Sequence, residues 1–171
     1  MDSGTVGWGT VGASTGGGRM TDVEGQRTEA QRKARPRGVA AVELRVAAKL
    51  ENLAVLRTMV GAVGTFSDLD FDAVADLRLA VDEACTRLIR SAAAGAALVV
   101  VVDPRDDVVV VEASTECDTF DVVTPGSFSW HVLSSLTDDV QTFLDPNGSE
   151  SSPDGRIFGI TLTTRRADAP R

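Results

Sequence analysis

Glu83 and Arg87 stand four residues apart in a stretch of helical period, so their side chains share one flank with Asp76 and Arg90. The Arg87 guanidinium can hold a phosphate through its fork of N–H donors. It can instead pair with the Glu83 carboxylate one turn away, an interaction worth about 0.3 kcal/mol on a helix surface. The plain ion pair is the favoured reading. A metal ion is excluded at Arg87, because a guanidinium has no lone pair to offer. Ser127 or Ser129 with His131 could form a nucleophile and base, but the strand–turn–helix elbow that exposes such a serine is missing, and capping or packing is expected instead. Cys85 and Cys117 are the two cysteines and His131 the one histidine, too few for a disulfide framework or a metal cluster. No CxxC, HExxH or GxxxxGK[ST] run is present, and the early glycines open no strand–helix unit, so metalloprotease, P-loop and dinucleotide chemistry are not expected.

These residues need elements to hold them. Val42, Leu44, Val46 and Ala48 alternate with Glu43, Arg45 and Ala47, the period of a half-buried strand within 39–49. From Leu50 the period lengthens: Leu53, Leu56, Val60 and Val63 predict a helix to about residue 66, broken by Ser67, Asp68 and Asp70. Val74, Leu77, Val81, Ala84, Cys85 and Leu88 form the apolar stripe of a second helix over 72–91, with Gly95 expected at its C-cap. Cys85 on that stripe belongs to the core. Residues 97–102 and 108–113 are β-branched strands joined by a hairpin connection at 103–107. A loop holding Cys117, Asp118 and Asp121 leads to Pro125-Gly126, and its position makes Cys117 the better thiol for redox chemistry. A third helix over 128–136 carries Trp130 on its apolar side. Strands at 140–144 and 157–164 flank a turn-rich insert at 145–155. The order β-α-α-β-β-α-β-β gives an α+β two-layer sandwich, with helices on one face of a mixed sheet.

The 171 residues suit one domain. Residues 1–38 are rich in Gly, Ser, Thr and charge without apolar period, and a disordered tail is expected, with Met20 a second plausible start. The domain is assigned to 39–166 and a short C-terminal tail to 167–171. The net charge of −8 is uneven: the first 38 residues hold six Lys and Arg against four acids, which leaves 11 against 21, a net of −10, on the remainder. Such a body repels nucleic-acid phosphates, so a role in transcription must run through another protein. No apolar run long enough to span a membrane and no secretory leader is recognisable, and a cytosolic protein without membrane contact is expected.

The segment around Glu83 also carries a likeness. Ala80-Val81, Glu83-Ala84 and Thr86 stand where the N-box helix of RsbW-type anti-sigma factors, serine kinases of the GHKL superfamily, places "AVxEAxT". Asn52 to Arg57 resembles the first helix of that family. Phe120-Asp121 resembles its "FD" pair, and the 136–140 segment, Leu-Thr-Asp-Asp-Val, its "LMDEV". The similarity covers nearly all of 40–165 and is greatest to actinobacterial members, mycobacterial ones acting on a general-stress sigma factor in particular. The resemblance implies the GHKL (Bergerat) ATPase/kinase fold. It also implies a homodimer that binds and sequesters a stress or stationary-phase sigma factor and is countered by STAS-type anti-anti-sigma factors. Arg57 matches the arginine that meets those partners; without the resemblance it reads as a solvated helix arginine. Glu83 matches the residue that activates the attacking hydroxyl, and Arg87 replaces the Mg²⁺-binding Asn. The adenine-reading box becomes Thr115-Glu116-Cys117, unless Asp118 substitutes. The glycine-rich G2 box becomes 127–130 with Gly126 its nearest glycine, and five residues stand where a long ATP lid belongs. The resemblance implies ATP and Mg²⁺, but with these departures no cofactor is expected to be required and Glu83 is expected to be vestigial as a base. The alternative is an active serine/threonine kinase of the anti-anti-sigma factor; a degenerate ATPase domain serving as a structural subunit is a third, more remote class.

Overall fold

The computed structural model describes residues 37–118, 122–145 and 156–166. The expectations for residues 1–36, the Phe120-Asp121 pair, the body of the insert and the last five residues lie outside them. Strand β1 (Val42–Ala47) leads through a 3-10 turn at Leu50–Asn52 into α1 (Leu53–Phe66) and α2 (Phe71–Ser91). The hairpin β2 (Ala97–Pro104) and β3 (Val108–Cys117) follows, then α3 (Phe128–Leu136), β4 (Asp139–Asp145) and β5 (Arg156–Arg165). No described helix is long and apolar enough to cross a membrane.

The five strands lie in the order β1-β2-β3-β5-β4 and every neighbouring pair is antiparallel. The sheet is therefore not mixed as expected. The reason is the even number of helices between β1 and β2. Helix α1 runs out and α2 runs back, so Ala47 at the end of β1 meets Ala97 at the start of β2. An intervening single helix would instead have carried the chain across for a parallel strand.

The register sets one face of the sheet toward the helices. Leu98, Val100, Val102, Val109, Val111, Ala113, Phe158, Ile160 and Leu162 meet Leu56, Val60, Leu77, Val81, Ala84, Cys85 and Leu88 in one apolar core. Helix α2 begins at Phe71, one residue before the expected start, and is capped by Asp70, whose carboxylate accepts from the Ala73 N–H at 2.7 Å. Gly95 is not the C-cap. Ala92 closes α2 in extended conformation, and Gly95, at φ 80°, is the third residue of the Ala93–Ala96 turn. Strand β3 runs four residues past the expected Ala113, because Thr115 and Cys117 keep the inward alternation and pair with Phe158 and Arg156.

Strands β4 and β5 make one close approach. Gly159 pairs with Phe143, and a Cβ at Gly159 would lie 2.0 Å from the Phe143 ring. The ring occupies the space that a side chain on β5 would need. Gly159→Ala is expected to cost about 1–3 kcal/mol by overpacking, read as a lower urea midpoint at unchanged slope. Adding Phe143→Ala should recover part of the loss, and strict additivity of the two changes would refute the steric account.

Candidate functional site

Helix α2 seats Leu77, Val81, Ala84 and Leu88 in the core, which leaves the positions beside that stripe at the boundary with water. Asp82 and Glu83 are consecutive there, about 100° apart around the axis. Asp82 turns toward α1. Its Oδ1 accepts from Arg57 Nε at 3.2 Å and from a terminal nitrogen of the same guanidinium at 2.7 Å. Arg57 is thus neither free nor buried; its side chain is 42% exposed in this pairing.

Glu83 turns toward α3. Its Oε1 accepts from Arg87 Nε at 2.8 Å and from the Ser129 hydroxyl at 2.6 Å. The ion pair expected from the i,i+4 spacing is present, and Ser129 is a partner the sequence reading missed. Ser129 is 4% exposed at the start of α3, a burial a serine accepts only with its hydroxyl bonded. The adjacent Ser127 caps α3 by accepting from the Trp130 N–H at 3.2 Å, so neither serine is paired as a nucleophile with His131, which is exposed. Trp130 is partly buried against the core as its position predicted. The Glu83 carboxyl sits below its ordinary range. Burial raises it, but the hydrogen bonds from Ser129 and Arg87 and the charges of Arg87 and Arg90 together outweigh burial. A carboxylate so held is a poor proton acceptor.

Gly126 occupies the third position of the Thr124–Ser127 turn after Pro125, with φ 86°, a conformation that favours glycine whether or not a ligand approaches. Asp118 is exposed just past β3. Neither belongs to the bonded cluster around Glu83. Cys117 is not in a loop. It ends β3 at 5% exposure, and burial pushes its thiol up to about 11, with the Asp118 charge adding to this and a backbone hydrogen bond at Phe158 opposing it. Cys85 is fully buried and pushed up to about 12, by burial and then by the Asp82 charge. Little thiolate forms at either site near neutrality.

These residues do not fit ATP·Mg²⁺. Arg87 offers no lone pair and is spent on Glu83. Thr115, in the place of the adenine-reading acid, is 2% exposed and donates its hydroxyl to the Ala97 carbonyl at 2.9 Å. Cys117, at the position to which the resemblance assigns a glycine, carries a buried side chain. Val122 and Val123, in the span where a lid would begin, are 9% and 3% exposed and join the apolar core.

No family model matches the chain. Two curated proteins do: anti-sigma-F factor RsbW of Mycobacterium tuberculosis strain CDC 1551 / Oshkosh, and the same-named protein of strain ATCC 25618 / H37Rv. Each is 63% identical over 171 residues, covering 100% of this chain and 98% of the relative.

The Glu83 cluster has a pH signature. A folded-state value below the unfolded one gives stability that is present above the unfolded value, near 4.5, and is lost as pH falls through the folded value. Glu83→Gln should therefore shrink the difference in unfolding free energy between neutral pH and pH below that window. Ser129→Ala should cost about 1–2 kcal/mol at neutral pH and much less in acid. Urea titrations across pH check both, and an unchanged acid limb in Glu83→Gln would show that the cluster contributes nothing to folding.

Proposed function

The chain belongs to the RsbW family of anti-sigma factors, and we propose that it binds and sequesters an alternative sigma factor of the stress or stationary-phase class. The observation that carries this reading is 63% identity over all 171 residues to proteins whose name assigns them sigma-F as the factor they oppose. The proposal includes the GHKL architecture, with which the α+β sandwich and its helices are compatible. It also includes action as a homodimer in the cytoplasm, and displacement by a STAS-type anti-anti-sigma factor.

Arg57 is the proposed contact for those partners. It lies on the outer side of α1, half-exposed, and Leu79, 59% exposed, stands one turn before its partner Asp82 on α2. Arginine is among the residue types enriched at interface hot spots. The domain spans 39–166 in this reading. Glu83, Arg87, Asp118 and Gly126 are the remains of a nucleotide site: Glu83 in the place of the base, the other three in the places that would have met ATP. Glu83 and Arg87 now satisfy each other and Ser129, which favours a binding protein over an active kinase.

Arg57→Ala is expected to weaken association with the sigma factor or the anti-anti-sigma factor by roughly 2 kcal/mol, measured by titration calorimetry without nucleotide. The half-exposed pair with Asp82 contributes about 0–1 kcal/mol to folding, so the thermal midpoint should move little. Asp82→Ala separates the two roles: it removes the pair but keeps the cation, and binding should survive it. Full-strength binding by Arg57→Ala to both partners would remove Arg57 from the interface, and a complex that forms only with ATP and Mg²⁺ would restore a need for nucleotide.

Transfer of phosphate from radiolabelled ATP to a STAS-type partner is expected to be absent or very slow, and Arg87→Asn alone should not restore it. Phosphoryl transfer rests on positioning and charge stabilisation, so each displaced part depresses the rate separately. Robust transfer by the wild type, abolished by Glu83→Ala, would establish an active kinase site and leave the anti-sigma assignment standing.

A further inference from the structure

Strand β1 is the outermost strand on one side of the sheet, and among the described residues β2 is its one neighbouring strand. The Ala48 N–H donates to the Ala96 carbonyl at 3.0 Å, which continues the β1–β2 register by one pair. Backbone groups alternate sides along a strand, so residues 42, 44 and 46 also bond toward β2. The N–H and C=O of Glu43, Arg45 and Ala47 therefore point out of the open edge. Such an edge is a template for another strand.

The helix above this edge is apolar on the same side. Helix α1 packs on β2, α2 on β3 and β5, and α3 on β4, so α1 is the helix nearest β1. Its α2-facing flank is marked by Arg57, bonded to Asp82, and by Gly61, which lies against the Arg78 side chain. At about 100° per residue, Val55, Met59 and Phe66 fall on the opposite flank, toward the β1 side. Val55 is 53% and Phe66 90% exposed there. Val42 at the start of β1 and Leu50 in the turn between β1 and α1 are 40% and 48% exposed. A surface helix ordinarily carries charged and polar residues away from the core, yet Arg57 is the one charged residue of α1 and lies on the other flank.

We propose that a second copy of this chain docks on this edge, β1 against β1 and antiparallel, about a two-fold axis at Leu44. The two five-stranded sheets then form one continuous sheet, and the apolar flanks of the two α1 helices come together over the junction. Charge selects the register. Bonding across the open edges pairs odd-numbered residues with odd-numbered ones, because those residues hold the outward backbone groups. Pairing 43 with 43, or 45 with 45, sets like charges opposite each other. Pairing Glu43 with Arg45 sets unlike charges opposite twice, once on each side of the axis. Leu44 then faces Leu44, and Val42 faces Val46. Arg45 is exposed and has no ion pair among the described residues. Glu43 already holds Arg37, so the cross-strand contact decides register, while the backbone bonds and the apolar flank supply the attraction. The inference deepens the homodimer reading and rests on it; it does not depend on sigma-factor binding.

Sedimentation velocity of the full-length chain tests the proposal. The wild type should sediment as a dimer. Arg45→Glu and Glu43→Arg each set like charges opposite at both contacts, and each should raise the dimer dissociation constant by roughly tenfold. Mixed in equal amounts, the two variants should recover a heterodimer, because every contact across the axis is then unlike. Recovery would also show that both variants are folded. Val55→Asp, on the α1 flank, should weaken self-association as well. A wild-type dimer that both charge variants leave intact overturns this interface while the homodimer reading stands. A monomeric wild type overturns both. Variants that weaken alone and stay apart when mixed overturn the antiparallel pairing about Leu44.

Discussion

A helix laid along a sheet buries one stripe and leaves a flank on either side where the core meets water. Helix α2 is held to this geometry by small side chains: Ala80, Ala84 and Cys85 are fully buried beside Leu77 and Leu88. Larger residues there would lift the axis and open gaps that a core at near-crystal packing density does not tolerate. Once α2 is pressed down, Asp82 and Glu83 fall on opposite flanks, each too close to the core to stay freely hydrated. Each takes donors from across its flank, Arg57 of α1 on one side and Ser129 of α3 on the other. The helical layer is thus fixed in direction by apolar packing and in detail by two consecutive carboxylates.

The same arrangement limits what the site can do. A base must keep a lone pair and a proton affinity near working pH, and Glu83 has directed one oxygen at two donors and lies below its ordinary range. Thr115 and Cys117 continue β3, and Val122 and Val123 enter the core. Around Glu83 the charged groups are paired with one another and with Ser129.

The two faces of the sheet differ in kind. The helix side is a continuous aliphatic core in which, among the described residues, one buried hydroxyl, Thr164 Oγ1, lacks a hydrogen-bond partner. The other side sets valines among carboxylates and meets the chain as it enters at Arg37 and Gly38. Charge follows the same division. Acidic side chains dominate the body, and Arg57, Arg87, Arg105 and Arg166 are each paired with one of them.

Much of this was legible in the sequence, because hydrophobic period is local. The alternation at Val42, Leu44 and Val46, and the helical spacing from Leu77 to Leu88, gave the elements, their order and the α+β layering. The likeness around Ala80 to Thr86 gave the family. The i,i+4 contact of Glu83 with Arg87 followed from helix geometry alone. Non-local facts did not. Antiparallel pairing throughout depended on where α1 and α2 returned the chain, and the length of β3 on a partner strand about 40 residues away offering Arg156 and Phe158. Cys117 read as a loop thiol because nothing in its neighbours announces that pairing. The Ser129 hydroxyl on Glu83 spans 46 residues, and Arg57 on Asp82 spans 25. Side chains that meet across elements carry no signature in sequence spacing, so only the tertiary structure decided which carboxylate each donor would find.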